Sequence, residues 1–108
     1  MTSELSSFEA ILAAINDGRI LWKKHTLERM MERGISRTAV KHAILNGVVI
    51  ETYPNDSPIP SMLIAYNQQE ALHVVLAYEA ANQHCHIITT YRPDLAHFEN
   101  DFITRRLS

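Results

Sequence analysis

Cysteine, glycine and proline are all scarce in this sequence, which has one Cys, three Gly and four Pro among its 108 residues. The single cysteine, Cys85, excludes an internal disulfide and is typical of a reducing compartment. The N-terminus lacks the basic and apolar stretches of a secretory signal, and no apolar run approaches the roughly 20 residues of a membrane span. These absences predict a cytoplasmic protein of one soluble domain, residues 1–108, with no membrane partner.

A strong net charge is also missing. The formal charge of −2 argues against a protein that coats nucleic acid non-specifically. The charge is unevenly distributed, however, since residues 18–53 carry +4 while the segments before and after them carry −3 each. The basic segment therefore permits an anionic ligand without requiring one.

The first half of the sequence has a helical period. It predicts helices over residues 4–17, about 25–34 and about 36–46. Gly18 and Gly47 follow the first and third helices, and the second ends at Gly34, since glycine is favoured just beyond a helix end. Ser36 is a favourable N-cap for the third helix. Residues 20–22, between the first two helices, form a short apolar connector, for which an extended conformation is one interpretation.

After residue 47 the period changes to that of strands. Four segments rich in β-branched and aromatic residues predict strands, at residues 48–53, 62–66, 72–78 and 86–91. Their short links favour antiparallel neighbours, and Asp94 is a candidate N-cap for a closing helix. The predicted fold class is therefore α+β, with N-terminal helices, a four-stranded antiparallel sheet and a C-terminal helix.

The second predicted helix carries the residues that most suggest chemistry. His25, Arg29 and Arg33 follow one another at helical spacing and span roughly 80° of its surface. The apolar side, which includes Met31, is expected to pack inward. One titratable ring beside two fixed cations suits a phosphate site, and phosphate also favours helix N-termini. A solvated face with an Arg29–Glu32 ion pair explains the same pattern.

A lone histidine, His73, interrupts an apolar strand. If the loop at 79–83 makes a symmetric hairpin, His73 is expected opposite Thr89, with Tyr91 as a diagonal neighbour on the same sheet face. A slip of one residue would separate them. The alternative interpretation is a structural histidine that is satisfied by a threonine hydroxyl.

A metal site is only weakly indicated. His84 and His86 share one strand face while Cys85 points away. Two ligands do not make a structural zinc site, and no second cluster in the sequence completes four. We therefore expect neither a metal nor a cofactor, and a histidine-based metal binder is the third and weakest hypothesis.

Several of these motifs together resemble a known family. The motifs are His25-Thr-Leu-Glu-Arg-Met-Met-Glu-Arg-Gly-Ile-Ser36, Leu72-His-Val-Val75 and Ile88-Thr-Thr-Tyr-Arg-Pro-Asp94. Their order resembles the signature of the bacterial domain-of-unknown-function family 4258 over roughly residues 20–106, with the helix at 4–17 as an addition. Phe98 stands where the family is expected to have tryptophan.

The resemblance carries expectations about function. Members of the family look like small toxins of toxin–antitoxin pairs and are similar in outline to RelE-like ribonucleases. The resemblance therefore implies a RelE-like fold, RNA as the ligand and a cognate antitoxin protein as a partner.

The leading hypothesis is a metal-independent endoribonuclease or RNA-binding toxin. Attack of a 2′-hydroxyl on the adjacent phosphate needs a base, an acid and cations. This mechanism requires His25 and His73 to approach each other across the helix–sheet boundary. The alternative is a noncatalytic interaction domain that binds a protein partner or an anion. The candidate catalytic residues are His25, His73 and Arg29, and the candidate substrate-binding residues are Arg33, Thr89 and Tyr91.

Overall fold

The chain forms a five-stranded mixed sheet with three helices packed on one of its faces. A computed structural model describes residues 4–99 and 101–105. The elements, in chain order, are α1 (Glu4–Asn16), β1 (Ile20–Trp22), α2 (Lys24–Arg33), α3 (Arg37–Asn46), β2 (Val48–Tyr53), β3 (Ser61–Tyr66), β4 (Leu72–Glu79) and β5 (His84–Tyr91).

The turn between α2 and α3 forms as its sequence predicts. Gly34 adopts a left-handed conformation with φ 67°, and the N–H of Ile35 bonds to the carbonyl of Met30 at 2.9 Å, which closes α2 in the manner of a glycine cap. The Ser36 hydroxyl then accepts from the N–H of Ala39 at 3.0 Å and begins α3.

The core lies between the helices and one sheet face. Alternate residues of the strands point to this face and meet the apolar sides of all three helices. From α1, Ile11 and Ala14 are fully buried, so the N-terminal helix shares the core of the rest of the domain. No helix in the described part of the chain is long and apolar enough to cross a membrane.

The predicted four-stranded antiparallel sheet is wrong. The strand order is β1-β5-β4-β3-β2, and the apolar connector at residues 20–22 is a fifth strand that pairs parallel with β5, from Ile20 opposite Cys85 to Trp22 opposite Ile87. Three residues are too few to show a strand period. Their partner also lies more than 60 residues away, so local sequence does not reveal the pairing.

The predicted C-terminal helix is wrong as well. Asp94 does cap a turn, since its carboxylate accepts from the N–H of His97 at 3.0 Å. The chain then turns back, and Phe98 forms an isolated antiparallel bridge with Arg105. Phe102 has φ 57°, which a helix does not allow, and its carbonyl bonds to a side chain of the sheet. Of the expected RelE-like fold, only the general α+β class agrees with the structure.

The register of the β4–β5 hairpin differs from the symmetric one. His73 lies opposite Tyr91, and Thr89 lies opposite Val75. The hairpin closes at Glu79 and His84, one residue off the expected register, and a bulge next to Val75 adds a second residue. The two one-residue shifts add up to a shift of two residues, which leaves each side chain on its expected face. His73, Thr89 and Tyr91 therefore still share one sheet face.

Gly47 provides a test of how closely α3 packs on the sheet. A Cβ atom there would lie 2.5 Å from the carbonyl oxygen of Ala43 and 2.7 Å from that of Ala65. Both atoms belong to the backbone, so Gly47→Ala is expected to lower the free energy of unfolding by about 3 kcal/mol, as overpacking does. Urea denaturation followed by circular dichroism measures it.

Gly18→Ala is the matched control. No atom lies within 4 Å of a Cβ at Gly18, but its φ of 76° is unfavourable for alanine, at a cost of about 1 kcal/mol. An equal or smaller loss for Gly47→Ala than for Gly18→Ala would contradict the close approach of α3.

Candidate functional site

The structure does not bring His25 and His73 together. Leu72 and Val74 share a buried cluster with Met30 of α2. Because successive strand residues point to opposite faces, His73 projects to the face that the helices leave uncovered. His25 is exposed on α2. The two histidines therefore lie on opposite sides of the sheet, and the approach that the two-histidine mechanism requires is absent.

The two arginines of α2 have different surroundings. Arg29 is exposed, and its Nη1 atom lies 3.6 Å from the Glu32 carboxylate, as the solvated-face interpretation expects. Arg33 donates from Nη1 to the carbonyl of Thr90 at 2.8 Å. Arg33 thus ties the end of α2 to β5, while Arg29 is available to solvent.

Thr26 fixes the start of α2, a role that the sequence analysis missed. It is buried, and its hydroxyl lies 3.2 Å from the carbonyl oxygen of Ile87 and 3.0 Å from that of Ile88. These carbonyls lie at the bulge of β5. Met31, in contrast to the prediction, is 82% exposed, because α2 buries Thr26 and Met30 instead.

His73 is the centre of a polar cluster on the sheet face opposite the helices. Its side chain is fully buried, and Nε2 lies 2.7 Å from the carbonyl oxygen of Phe102. Since a carbonyl only accepts, Nε2 carries the proton. Nδ1 has no hydrogen-bond partner among the described residues. The ring packs edge-on against Phe98, 4.6 Å between centroids, and 5.4 Å from the ring of Tyr91.

A carboxylate and a guanidinium complete this group, which we call the His73 cluster. Arg105 donates from Nε and Nη2 to the two carboxylate oxygens of Glu51 at 2.8 and 3.1 Å. The Tyr53 hydroxyl donates to the same carboxylate. The guanidinium also lies over the Phe98 ring, 4.7 Å from its centroid. The cluster comprises Glu51, Tyr53, His73, Tyr91, Phe98 and Arg105.

The protonation states follow from these contacts. Hydrogen bonding from Arg105 holds the pKa of Glu51 below its ordinary value, and burial lowers the pKa of His73. Burial and the Glu51 carboxylate raise the pKa of Tyr53 to about 12, and burial also raises the pKa of Tyr91. At neutral pH the cluster thus holds an ionised carboxylate, a guanidinium, a neutral imidazole and two protonated phenols.

Of the six candidates from sequence, the structure brings His73 and Tyr91 into contact. Thr89 shares their sheet face but lies two residue pairs further along the hairpin, opposite Val75. Of the three candidates on α2, His25 and Arg29 are exposed, and Arg33 reaches the backbone of β5 at Thr90. A cavity of about 220 Å³ adjoins the cluster, lined by Tyr91, Phe98 and Arg105 among others.

Sequence reasoning missed Glu51, Tyr53 and Arg105. The spacing of Glu51 and Tyr53 carried a usable signal, since polar residues two apart on a strand share a face. Arg105 carried none, because it reaches Glu51 from 54 residues away.

The His84–Cys85–His86 segment is structural. His86 Nε2 lies 2.7 Å from the Glu79 carboxylate, and Cys85 is fully buried. Burial raises the pKa of the Cys85 thiol to about 11, so the thiolate is scarce at neutral pH. Among the described residues, no three His, Cys, Asp or Glu side chains are grouped so that they could hold a metal ion.

The His73 contacts predict a pH dependence of stability. Because the folded-state pKa lies below the unfolded value of about 6.5, the unfolded chain takes up a proton first as the pH falls. The contribution of neutral His73 is fully present above pH 6.5 and decreases towards the lowered folded pKa. The free energy of unfolding from urea titrations should fall from pH 7.5 to 5.0, and His73→Gln should flatten this slope. An identical slope in the variant would contradict the buried neutral imidazole.

Comparison with known proteins gives one match. The family described as "Domain of unknown function (DUF4258)" matches residues 22–92, which include α2, α3 and strands β2 to β5 but not α1 or the residues after Arg92. No curated protein and no solved structure matches, so the comparisons lend no support to the RelE-like toxin resemblance. The matched segment is more than half of the sequence, and the chain therefore belongs to the DUF4258 family, whose members are domains of unknown function.

Proposed function

We propose that this protein binds RNA in the cytoplasm through a basic surface on α2 and α3, without acid–base catalysis by His25 and His73. Six of the ten Lys and Arg residues of the chain lie between residues 23 and 41, where only two acidic residues accompany them. All six are exposed. We call this segment, residues 23–41, the basic segment.

The proposal rests on which cations form ion pairs with acidic residues and which do not. Each described arginine outside the basic segment forms a close ion pair: Arg19 with Asp17, Arg92 with Glu70 and Arg105 with Glu51, at 2.7 to 2.8 Å. Inside the segment, the only ion pair among the described residues is the long Arg29–Glu32 contact. The cations without an acidic partner there are Lys23, Lys24, Arg33, Arg37 and Lys41.

Clustered cations without counter-charges are what a phosphate backbone requires. Binding releases the counterions of the nucleic acid, so affinity depends on the number of phosphates neutralised and falls with salt. Met31 lies on the same side of α2 as Lys24, seven residues away, and its exposed side chain adds an apolar contact for bases. An acidic protein partner, such as the antitoxin that the sequence resemblance implies, would compete for the same cations.

Fluorescence anisotropy with a labelled single-stranded RNA tests the proposal. The double variant Lys24→Gln/Lys41→Gln removes two unpaired cations, so the slope of log K against log salt should decrease by about 1.4 and the affinity at moderate salt should fall roughly tenfold. Arg19→Gln, which removes an already paired cation, is the control and should bind like the wild type.

Two results would overturn it. The first is a wild-type protein that does not bind the RNA at low salt. The second is a loss of log K per removed charge that is equal in the double variant and in Arg19→Gln, which would show that net charge alone determines the effect.

A second candidate function, metal-independent RNA cleavage, is favoured by the His73 cluster. Ionised Glu51 is a candidate general base, and Arg105 has the geometry to neutralise charge that develops on a phosphate. Tyr91 lines the adjoining cavity and is placed to orient a substrate. His73 is fully buried and in this arrangement positions its neighbours without touching a substrate.

Incubation of purified protein with RNA separates the two functions. If the cluster cleaves RNA, Glu51→Gln and Arg105→Gln should each reduce cleavage at least about 100-fold, as expected for a lost base or charge stabiliser, while Lys24→Gln/Lys41→Gln mainly weakens binding. Equal cleavage by wild type, Glu51→Gln and Arg105→Gln would indicate a contaminating nuclease and remove the enzymatic candidate.

A further inference from the structure

The segment after the last strand lies across the sheet face opposite the helices. Residues 94–105, in which Asn100 is not described, contain no helix or strand of their own. The side chain of Asn67 donates to the carbonyl of Asp101 at 3.0 Å, and His73 donates to that of Phe102. Arg105 pairs with Glu51. We call this segment the strap.

The strap is held together largely by its own contacts. The N–H of Glu99 bonds to the carbonyl of Thr104 at 2.8 Å. The Asp101 carboxylate accepts from the N–H groups of Ile103 and Thr104, both at 2.9 Å, and from the Thr104 hydroxyl at 2.8 Å. A short turn of this kind is marginally stable in water without packing, so release of the strap from the sheet is expected to break these bonds as well.

We propose that the strap covers a polar sheet face and that uptake of a proton by His73 releases it. Release uncovers His73, Tyr53, Glu51 and Tyr91 and carries Arg105 away from Glu51. In terms of the second candidate function, on which this consequence alone rests, release therefore ends RNA cleavage. The release itself depends on neither proposed function, since it follows from contacts within the chain.

The position of His73 explains why its proton matters. In the closed state Nε2–H is bonded to Phe102, and Nδ1 is buried without a partner among the described residues. A proton added at Nδ1 would find no acceptor in that part of the chain, and a buried donor without a partner is costly. Phe98 covers the ring and keeps solvent away.

The two charges near His73 act on the imidazole in opposite directions. Arg105, on the strap, disfavours a charged imidazole, whereas Glu51, on β2, favours it. The phenol of Tyr91 comes from β5, and β3 contributes the uncharged Ala65 opposite His73. In the closed state Glu51 is bound to Arg105. When the strap leaves, Arg105 leaves with it, and Glu51 becomes available to the imidazolium. Protonated His73 and Arg105 thus compete for one carboxylate.

Proton binding and strap release are therefore linked. The closed state favours neutral His73, and the open state favours the charged form. Protonation of His73 therefore favours opening by the same free energy by which opening favours protonation. The ratio of open to closed molecules rises tenfold for each unit that separates the pKa values of His73 in the two states.

Nuclear magnetic resonance of the full chain labelled with ¹⁵N tests this linkage between pH 7.5 and 5.0. At pH 7.5 we expect the Nε2–H tautomer of His73. On acidification, the amide signals of residues 101–105 should shift with the midpoint at which His73 titrates. The exchange protection of the Glu99 and Phe102 amides, corrected for intrinsic rates, should fall at least about tenfold, while the amides of β3 and β4 stay protected.

Two results would overturn the proposal. One is titration of His73 with unchanged strap signals. The other is simultaneous loss of protection in the strap and in β3 and β4, which would show that the proton unfolds the whole domain.

Variants separate the proton from the other contacts. His73→Gln retains an N–H donor for the Phe102 carbonyl but does not titrate, so strap protection should be independent of pH over this range. A strap that still opens in this variant would refute the role of His73. Arg105→Gln should loosen the strap at every pH and raise the titration midpoint of His73, while Arg19→Gln, which removes an ion pair unconnected to the strap, should do neither.

Arg105→Gln also decides the outcome if His73→Gln does not fold by circular dichroism. A higher His73 midpoint in Arg105→Gln supports the competition for Glu51. An unchanged midpoint with an unchanged strap contradicts it.

Discussion

The hydrogen bond from His73 Nε2 to the carbonyl of Phe102, 2.7 Å long, organises one whole side of this domain. A fully buried imidazole has two ring nitrogens, and the strap provides a partner for one of them. This contact determines the neutral tautomer of the ring and occupies a carbonyl that a C-terminal helix would have used. It also places Phe98 over the ring, so that Arg105 can rest on Phe98 and reach Glu51.

The domain separates its charges between the two faces of the sheet. On the helical side, α2 and α3 present cations that mostly lack acidic partners. On the other side, the one guanidinium of the His73 cluster is matched by one carboxylate. The first arrangement suits a ligand that brings negative charge with it. The second is internally neutral and presents little to a charged ligand while the strap is closed.

The sequence was a good guide wherever the structure depends on local interactions. The three N-terminal helices and the strands β2 to β5 follow from periodicity, and the turn at Gly34 and Ser36 follows from the preferences of helix ends. β1 was missed because its stability comes from a distant parallel partner. The C-terminal helix was predicted from Asp94 as its N-cap, but the sheet competes for the same backbone.

The candidate site shows the same division. His73 and Tyr91 were placed on one face although the hairpin register was off by two residues, because a shift of two preserves the alternation of strand side chains. The Glu51–Arg105 pair could not be predicted, since the local sequence around either residue does not indicate an ion pair with a distant partner. The expected approach of His25 to His73 was wrong. The sequence period shows which strand residues share a face, but it does not show which of the two faces the helices cover.

The parallel pairing of β1 with β5 affects how the family unit can be isolated. The region shared with the family begins at Trp22, so a fragment cut there loses Ile20 and Leu21 and with them most of the strand that borders β5. The backbone groups of β5 from Cys85 to Ile87 would then form a bare sheet edge, the kind of surface that promotes association between chains. The same cut removes α1, whose Ile11 and Ala14 are fully buried. The segment before the family boundary therefore covers an edge of β5 that a fragment of residues 22–92 would expose.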